Sequence, residues 1–189
     1  MRKLLTATSL ISAVLLTSGC GEETTKGIDP AIYTDSLFAV MKADRTNYTK
    51  LVIKRLGPAG AGAIKPDEHW KDLENGAPLP AQMFRAGAEA VADLTDKFTY
   101  SLQSEWPINK QNAPTTPVEQ AGLQFIGANP GENYYGEETL GDVTYFTAVY
   151  PDVAVSDACT ICHNEHKDTP KTDFKVGDVM GGVVIRVPL

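Results

Sequence analysis

Cys159-Thr-Ile-Cys162-His163 gathers two thiols and an imidazole into five consecutive positions. Cys-x-x-Cys-His is the attachment signature of a c-type haem. The spacing has a chemical cause. The two thiols form thioethers to the two vinyl groups on one porphyrin edge, and the residue that follows lies under the iron, where its imidazole is a ligand. The motif therefore predicts one covalent haem c, held by Cys159 and Cys162, with His163 as proximal iron ligand. A disulfide or thioredoxin-like redox pair would use the same cysteines. It leaves His163 unexplained, and no βαβ pattern surrounds the motif. Zinc at Cys159, Cys162, His163 and His166 has suitable ligand types. However, the adjacent Cys162 and His163 are cramped for one tetrahedron, and no second ligand pair lies at a distance.

The sixth iron position has three candidates. His166 is three residues past His163 and cannot reach the opposite face of the macrocycle, so it reads as a loop residue or a neighbour of a propionate. His69, the remaining histidine, and Met83, at the opening of the second helix, are candidate distal ligands. Met41 on the first helix is a third, although methionine at helical spacing commonly fills a core. An open or water-bound position is also compatible with the sequence.

Haem attachment of this kind requires export and reduced thiols, and the N-terminus reads as an export signal. Arg2 and Lys3 precede an apolar stretch, Leu4 to Leu16, and small residues Thr17, Ser18 and Gly19 lead into Cys20. This is the anatomy of a secretory signal, and the stretch is too short for a bilayer span. Small residues before Cys20 resemble a bacterial lipobox, so residues 1–19 are expected to form a lipoprotein signal peptide and 20–27 a lipidated tether. Acyl chains on Cys20 would anchor the domain in the membrane, at about 0.8 kcal/mol per buried CH₂. Gly21, where an inner-membrane retention signal would have Asp, points to the outer membrane facing the periplasm.

The remainder, residues 28–189, is expected to be one domain. With 189 residues, 42% hydrophobic and 22% charged, the chain has an ordinary globular composition, which excludes fibrous and disordered classes. Removing residues 1–19, which hold Arg2 and Lys3 and no acids, takes the formal charge from −7 to −9. That charge, with no basic stripe, excludes nucleic acid as partner. Asp29-Pro30 opens a helix whose apolar face carries Leu37, Val40, Met41, Tyr48, Leu51 and Val52 and which ends at Gly57-Pro58. Residues 58–80 read as a long connection or flap. A second helix, Pro80 to Lys97, aligns Phe84, Ala88, Val91 and Leu94, and Phe98 to Leu102 is a short strand. Thr116-Pro-Val-Glu119 is a capping box opening a helix that buries Val118, Ala121, Gly122 and Phe125 and closes at Gly127. Tyr134-Tyr-Gly136 reads as a turn, Val143 to Tyr150 as a central strand and Gly181 to Val187 as the last one. Helices early and strands late give an α+β fold with an antiparallel sheet. The haem motif follows the strongest strand, in a surface loop or short helical turn.

Glu105-Trp-Pro107-Ile-Asn109, Asn112-Ala-Pro114 and Glu119, one Cys-x-x-Cys-His after a tyrosine-rich strand, and a terminal Gly177-Asp178, Gly181 and Pro188-Leu189 together resemble the Tll0287-like family over residues 30–189. The resemblance implies a PAS-like antiparallel sheet with flanking helices, one covalent haem, and a role in electron transfer or in redox or signal sensing. Certain relatives take a distal ligand from an N-terminal cysteine. This chain has none there except Cys20, and its Arg45 and Tyr48 resemble another branch with an Arg…Tyr pattern, so no distal ligand is carried over. Asn109, Asn112 and Pro114 are turn formers expected to shape the pocket wall.

The leading expectation is a monohaem cytochrome c lipoprotein that transfers single electrons to a redox protein, its acidic surface favouring a basic partner. The alternative is a haem-based redox or gas sensor that signals to a separate protein. A peroxidase-like enzyme, using His69 or Glu68 near an open iron face, is a third reading that no further residue supports. Replacing Cys159 and Cys162 together by Ala is expected to abolish covalent haem, read as loss of the haem band on a denaturing gel.

Overall fold

The computed structural model describes residues 27–189. The signal segment, Cys20 and all of the tether but Gly27 lie outside them. Asp29 accepts from the Ala31 N–H at 2.8 Å and, with Pro30, starts α1 (Pro30–Asn47). The helix continues as a π-helical run, Tyr48–Lys54. A connection with two short paired strands, β1 (Lys65–Pro66) and β2 (Gly76–Ala77), leads to α2 (Pro80–Leu94) and β3 (Thr99–Gln103). Then come α3 (Pro117–Ala128), the hairpin β4 (Tyr134–Leu140) and β5 (Val143–Val153), α4 (Asp157–Glu165) and β6 (Val179–Pro188). Strands β3, β6, β5 and β4 form an antiparallel sheet in that order. The α+β class is as expected. Among the described residues no helix is long and apolar enough to cross a membrane.

Strand β5 is apolar on both faces because both faces are covered. Ala148 and Tyr150 pack with Phe84, Val183 and Ile185 against Leu37, Phe38 and Met41, so α1 and α2 lie on that side. Val149 and Val184 turn to the opposite face and meet Leu123 and Ile126 of α3. The approach of α3 is close: a Cβ at Gly122 would stand 2.5 Å from Val149 Cγ2. On the α1 side Tyr150 stacks on Phe38 at 4.2 Å and its hydroxyl donates to Asp35 at 2.7 Å, a carboxylate that also receives Tyr135.

Several local expectations shift. Val40 and Leu51 are exposed, and Phe38 takes the inner position instead. A π-helical run holds more residues per turn than an α-helix, so the apolar phase read at 3.6 residues drifts across Tyr48–Lys54 and leaves Leu51 outward. The second helix ends at Leu94, which is 82% exposed, not at Lys97. In α3 the buried set is Glu119, Gly122, Leu123 and Ile126, Ala121 is exposed, and Gly127 lies inside the helix, which Asn129 caps. Tyr134-Tyr-Gly136 is not a turn but the start of β4, whose Tyr134 pairs with Val149. The haem motif lies on a two-turn helix.

The inward Glu119 explains the altered phase of α3. The capping box forms as expected, with Thr116 Oγ1 accepting from the Glu119 N–H at 3.2 Å. One carboxylate oxygen accepts from the Thr116 N–H at 3.0 Å and the Thr115 hydroxyl at 2.9 Å, while the other receives Gln103 and Arg186. Arg186 bridges to Glu119 at 2.6 Å and to Glu138 at 2.7 Å, and Thr147 donates to Glu138 at 2.8 Å. Glu119 is fully buried.

Burial pushes the Glu119 carboxyl up, but the Thr115 N–H, Gln103 and Arg186 outweigh it and hold it below the usual carboxylate range. Burial likewise opposes, and Arg186 with Thr116 and Thr147 reverses, the shift at Glu138. Both folded-state values are depressed, so the unfolded chain binds more protons at mildly acid pH. Their stabilisation is complete above about pH 4.3 and is lost as pH falls through the folded values. Arg186→Met should cost about 3–5 kcal/mol at pH 7, since it leaves buried carboxylates uncompensated. Urea unfolding checks this, and the gap from the wild type should narrow on acidification as those carboxylates become neutral.

Candidate functional site

The site starts where β5 stops pairing regularly. The register slips between Asp152 and Val153, and a bulge of this kind re-aims side chains at a strand end. Asp152 meets Arg45 of α1 in an ion pair there. Beyond the bulge, the Ala154 N–H donates to Asp178 O at 2.9 Å, and Ala154 O accepts from the Gly177 N–H at 3.0 Å. This pins the chain before Ser156, the residue that precedes α4.

Three and four residues apart on a helix is one face, so α4 presents Cys159, Cys162 and His163 together. Cys159 is half-buried against the cluster of Ala154, Phe174 and Met180, and Cys162 is exposed; both are free thiols. Burial, then the fields of Glu68, Cys159 and Glu165, push the Cys162 thiol up. His163 stands edge-on to Phe174, with ring centroids 6.1 Å apart and planes at 89°. Phe174 is itself held by its chain neighbour in space: its N–H donates to Asn164 Oδ1 at 3.0 Å, and Asn164 Nδ2 donates to its carbonyl at 2.9 Å. Trp106 closes the far side of Phe174 at 5.8 Å. Burial holds His163 below the ordinary imidazole range; Asp152 opposes this, while Arg45 and His166 add to it. A neutral imidazole keeps a lone pair for a metal.

Beside the bulge, α1 and α2 leave two neighbouring clefts. The first is lined by Phe38, Met41, Arg45, Phe84, Asp152 and Val155. The second, of about 100 Å³, is lined by Arg45, Tyr48, Pro80, Met83 and Phe84. Arg45 and Phe84 belong to both. The Arg45 Nε is buried without a hydrogen-bond partner, while Tyr48 is engaged with Pro78 O at 2.7 Å.

Met83, 48% exposed, thus borders the second cleft, and Met41 the first, where it also packs into the core. His69 begins the single turn Trp70–Asp72 and is largely exposed. Glu68 joins it to the motif's neighbourhood, with one oxygen 3.5 Å from His69 Nε2 and the other 3.4 Å from His166 Nε2. Among the described residues no three His, Cys, Asp or Glu side chains form a metal-holding cluster, so Cys159, Cys162, His163 and His166 do not converge as a zinc site would require. Asn109 accepts from the Gln111 N–H at 3.0 Å and forms the turn expected of it. Asp152 was not foreseen; its signal was a lone carboxylate ending an apolar strand just ahead of the motif.

Two free thiols a helical turn apart, a neutral imidazole on the same face and an unsatisfied guanidinium N–H in the adjoining cleft fit a covalently held haem. Fold and site together define an α+β domain with a helix-borne Cys-x-x-Cys-His. The family model described as Tll0287-like matches residues 31–188, and the chain belongs to that family. A solved structure described as the cyanobacterial heme-protein Tll0287 is similar in fold, with a TM-score of 0.54 at 15% identity over 85% of this chain and 96% of that one. No curated protein matches the sequence.

Phe174 is 4% exposed and walls His163. Phe174→Ala should cost about 3–5 kcal/mol, visible as a lower melting temperature.

Proposed function

We propose that this chain is a monohaem c-type cytochrome of the cell envelope, anchored through lipid on Cys20 at the outer membrane facing the periplasm, and that it transfers single electrons. The observation that carries the haem reading is α4, which offers Cys159, Cys162 and a desolvated His163 on one face. The fold relative described as a heme-protein supports it. When bound, the haem supplies a one-electron couple. The chain's own residues do the rest. Cys159 and Cys162 would hold the haem covalently and His163 would be an iron ligand, while Phe174, tied by Asn164, packs edge-on against that imidazole and orients it. The half-buried His163, backed by Phe174, would be the desolvated side of the site, and burial is one of a protein's main means of setting a haem's potential. The acidic surface favours encounter with a basic redox partner.

A second reading, a redox or gas sensor, rests on the cleft. Arg45 could not ligate iron, because a guanidinium stays protonated and has no acceptor, so Met41 or Met83 of the clefts, His69, or an exogenous molecule would be the further ligand. The test is an absorption spectrum of residues 26–189 matured in a haem-c-competent periplasm, reduced and then exposed to carbon monoxide. Covalent haem with bands indifferent to carbon monoxide is the outcome expected for an electron carrier. Ready carbon monoxide binding would favour sensing, and absence of covalent haem would overturn both.

A further inference from the structure

We propose that the end of the sheet farthest from the Cys-x-x-Cys-His helix is a membrane-contacting surface: it rests on the bilayer that holds the Cys20 acyl chains and turns the motif away from it. The inference rests on the lipid-anchor part of the proposed function and is independent of the haem. Chain direction defines the surface. Leu140 pairs with Val143 across the β4–β5 turn, and the Leu189 N–H donates to Thr144 O at 2.9 Å, so β4 ends, β5 begins and β6 ends together. Thr99, at the start of β3, pairs with Arg186. The ring of Phe98 just before it lies 6.1 Å from that of Tyr33, which places the beginning of α1 and the end of α2 at the same end. In the other direction, α1 reaches Asp152 through Arg45, and α4 follows β5. Strand β5 has 11 residues, which at about 3.3 Å per residue hold the two ends roughly 33 Å apart.

The large apolar side chains exposed there are Ile28 at 72% and Ile32 at 62%, on either side of the Asp29-Pro30 helix start, with Leu94, Leu140, Val143 and Leu189. A single exposed leucine needs no explanation. Apolar groups gathered on one surface mark contact with a membrane or a partner. The length of chain ahead of the described residues selects the membrane. Gly27 is seven positions after Cys20, and a chain reaches at most about 3.5 Å per residue, so an acylated Cys20 keeps Gly27 within roughly 25 Å of the bilayer. Ile28 comes next. The apolar end is therefore the one delivered to the lipid, and apolar side chains are the groups that enter the boundary between headgroups and acyl chains. Charge adds little: Lys97 is paired with Asp96 at 3.4 Å, and Asp29 and Asp142 have the sign that anionic lipid repels. The contact is apolar and should persist at high salt.

The experiment uses the mature chain in vesicles of phosphatidylethanolamine and phosphatidylglycerol, with Ile28→Asp combined with Ile32→Asp as the variant. Both positions are exposed, and acids are well placed at a helix N-terminus, so the melting temperature should not fall. The mass of the N-terminal peptide is read first. A chain without acyl groups would overturn the anchor reading and this inference with it. Hydrogen exchange, read by mass spectrometry, then follows residues 94–97 and 140–143, which are remote in sequence from both substitutions. Docking should weaken about tenfold or more in the variant. This is seen as several-fold faster exchange of both segments, at roughly 0.1 M and 1 M salt alike, while residues 157–165 of α4 exchange equally in the two proteins. Equal exchange of 94–97 and 140–143 in acylated wild type and variant would leave the anchor standing and overturn the membrane contact. Protection that grows with the number of chains per vesicle would assign the surface to a second copy of the chain, and would overturn it as well.

Discussion

One cation and two buried carboxylates, from three different elements, are bonded together. Arg186 of β6 is bonded to Glu119 of α3 and Glu138 of β4, and Gln103 of β3 and Thr147 of β5 complete the set. Every strand of the sheet and the helix that covers it therefore meet at one point. An apolar replacement of similar shape is often neutral or stabilising for such groups, so their contribution lies in specification. A strand slipped by one residue would carry Arg186 to the α1 face, among Phe84, Tyr100 and Ile185 and away from Glu119 and Glu138. The network thereby fixes the register of β5 against β6, and with it the place of the bulge at Asp152 and Val153.

That bulge is the hinge between fold and chemistry. Upstream of it, β5 is an interior strand whose residues serve the two cores. Downstream, two backbone bonds between Ala154 and residues 177–178 fix the direction in which α4 departs. The helix then needs little from its own sequence, since nine residues would be marginal alone. What steadies it is tertiary: Cys159 packs with Ala154 and Met180, and Asn164 binds Phe174 from both sides. The residues next to the chemistry are thus held by neighbours that do none.

The sequence reveals local features of this arrangement and hides distant ones. Asp29-Pro30, the Thr116–Glu119 box and the Cys-x-x-Cys-His spacing are signals within a few residues, and each forms the local structure it implies. Glu119 also satisfies a cation 67 positions away, and nothing beside it in the chain announces that. Assuming that charges face water turned the stripe of α3 toward Ala121, which is exposed. The glycine of Tyr134-Tyr-Gly136 suggested a turn, yet Gly136 lies within a strand under α3, where a Cβ would come 3.1 Å from Val118 Cγ1. Asp152 meets Arg45 across 107 positions, a pairing set by sheet register rather than by any local pattern.

Helix α1 is the element through which site and surface are joined. Its N-terminal half is locked to the sheet by Thr34 and Asp35, which gather the hydroxyls of Tyr150 and Tyr135. Its C-terminal half carries Met41 and Arg45 along the clefts and then changes to π winding. A π segment within a helix is rare and is found frequently at functional sites. Lys54 at its end meets Asp157, the first residue of α4, at 3.4 Å. Helix α1 thus meets β5 at the bulge through Arg45 and Asp152, and its π-wound extension meets the first residue of α4. Any signal requires a contact that differs between two states. Arg45 stands between a tyrosine-anchored half-helix and the bulge whose strand leads into α4, so a displacement there reaches the motif through Asp152 and the chain that follows it.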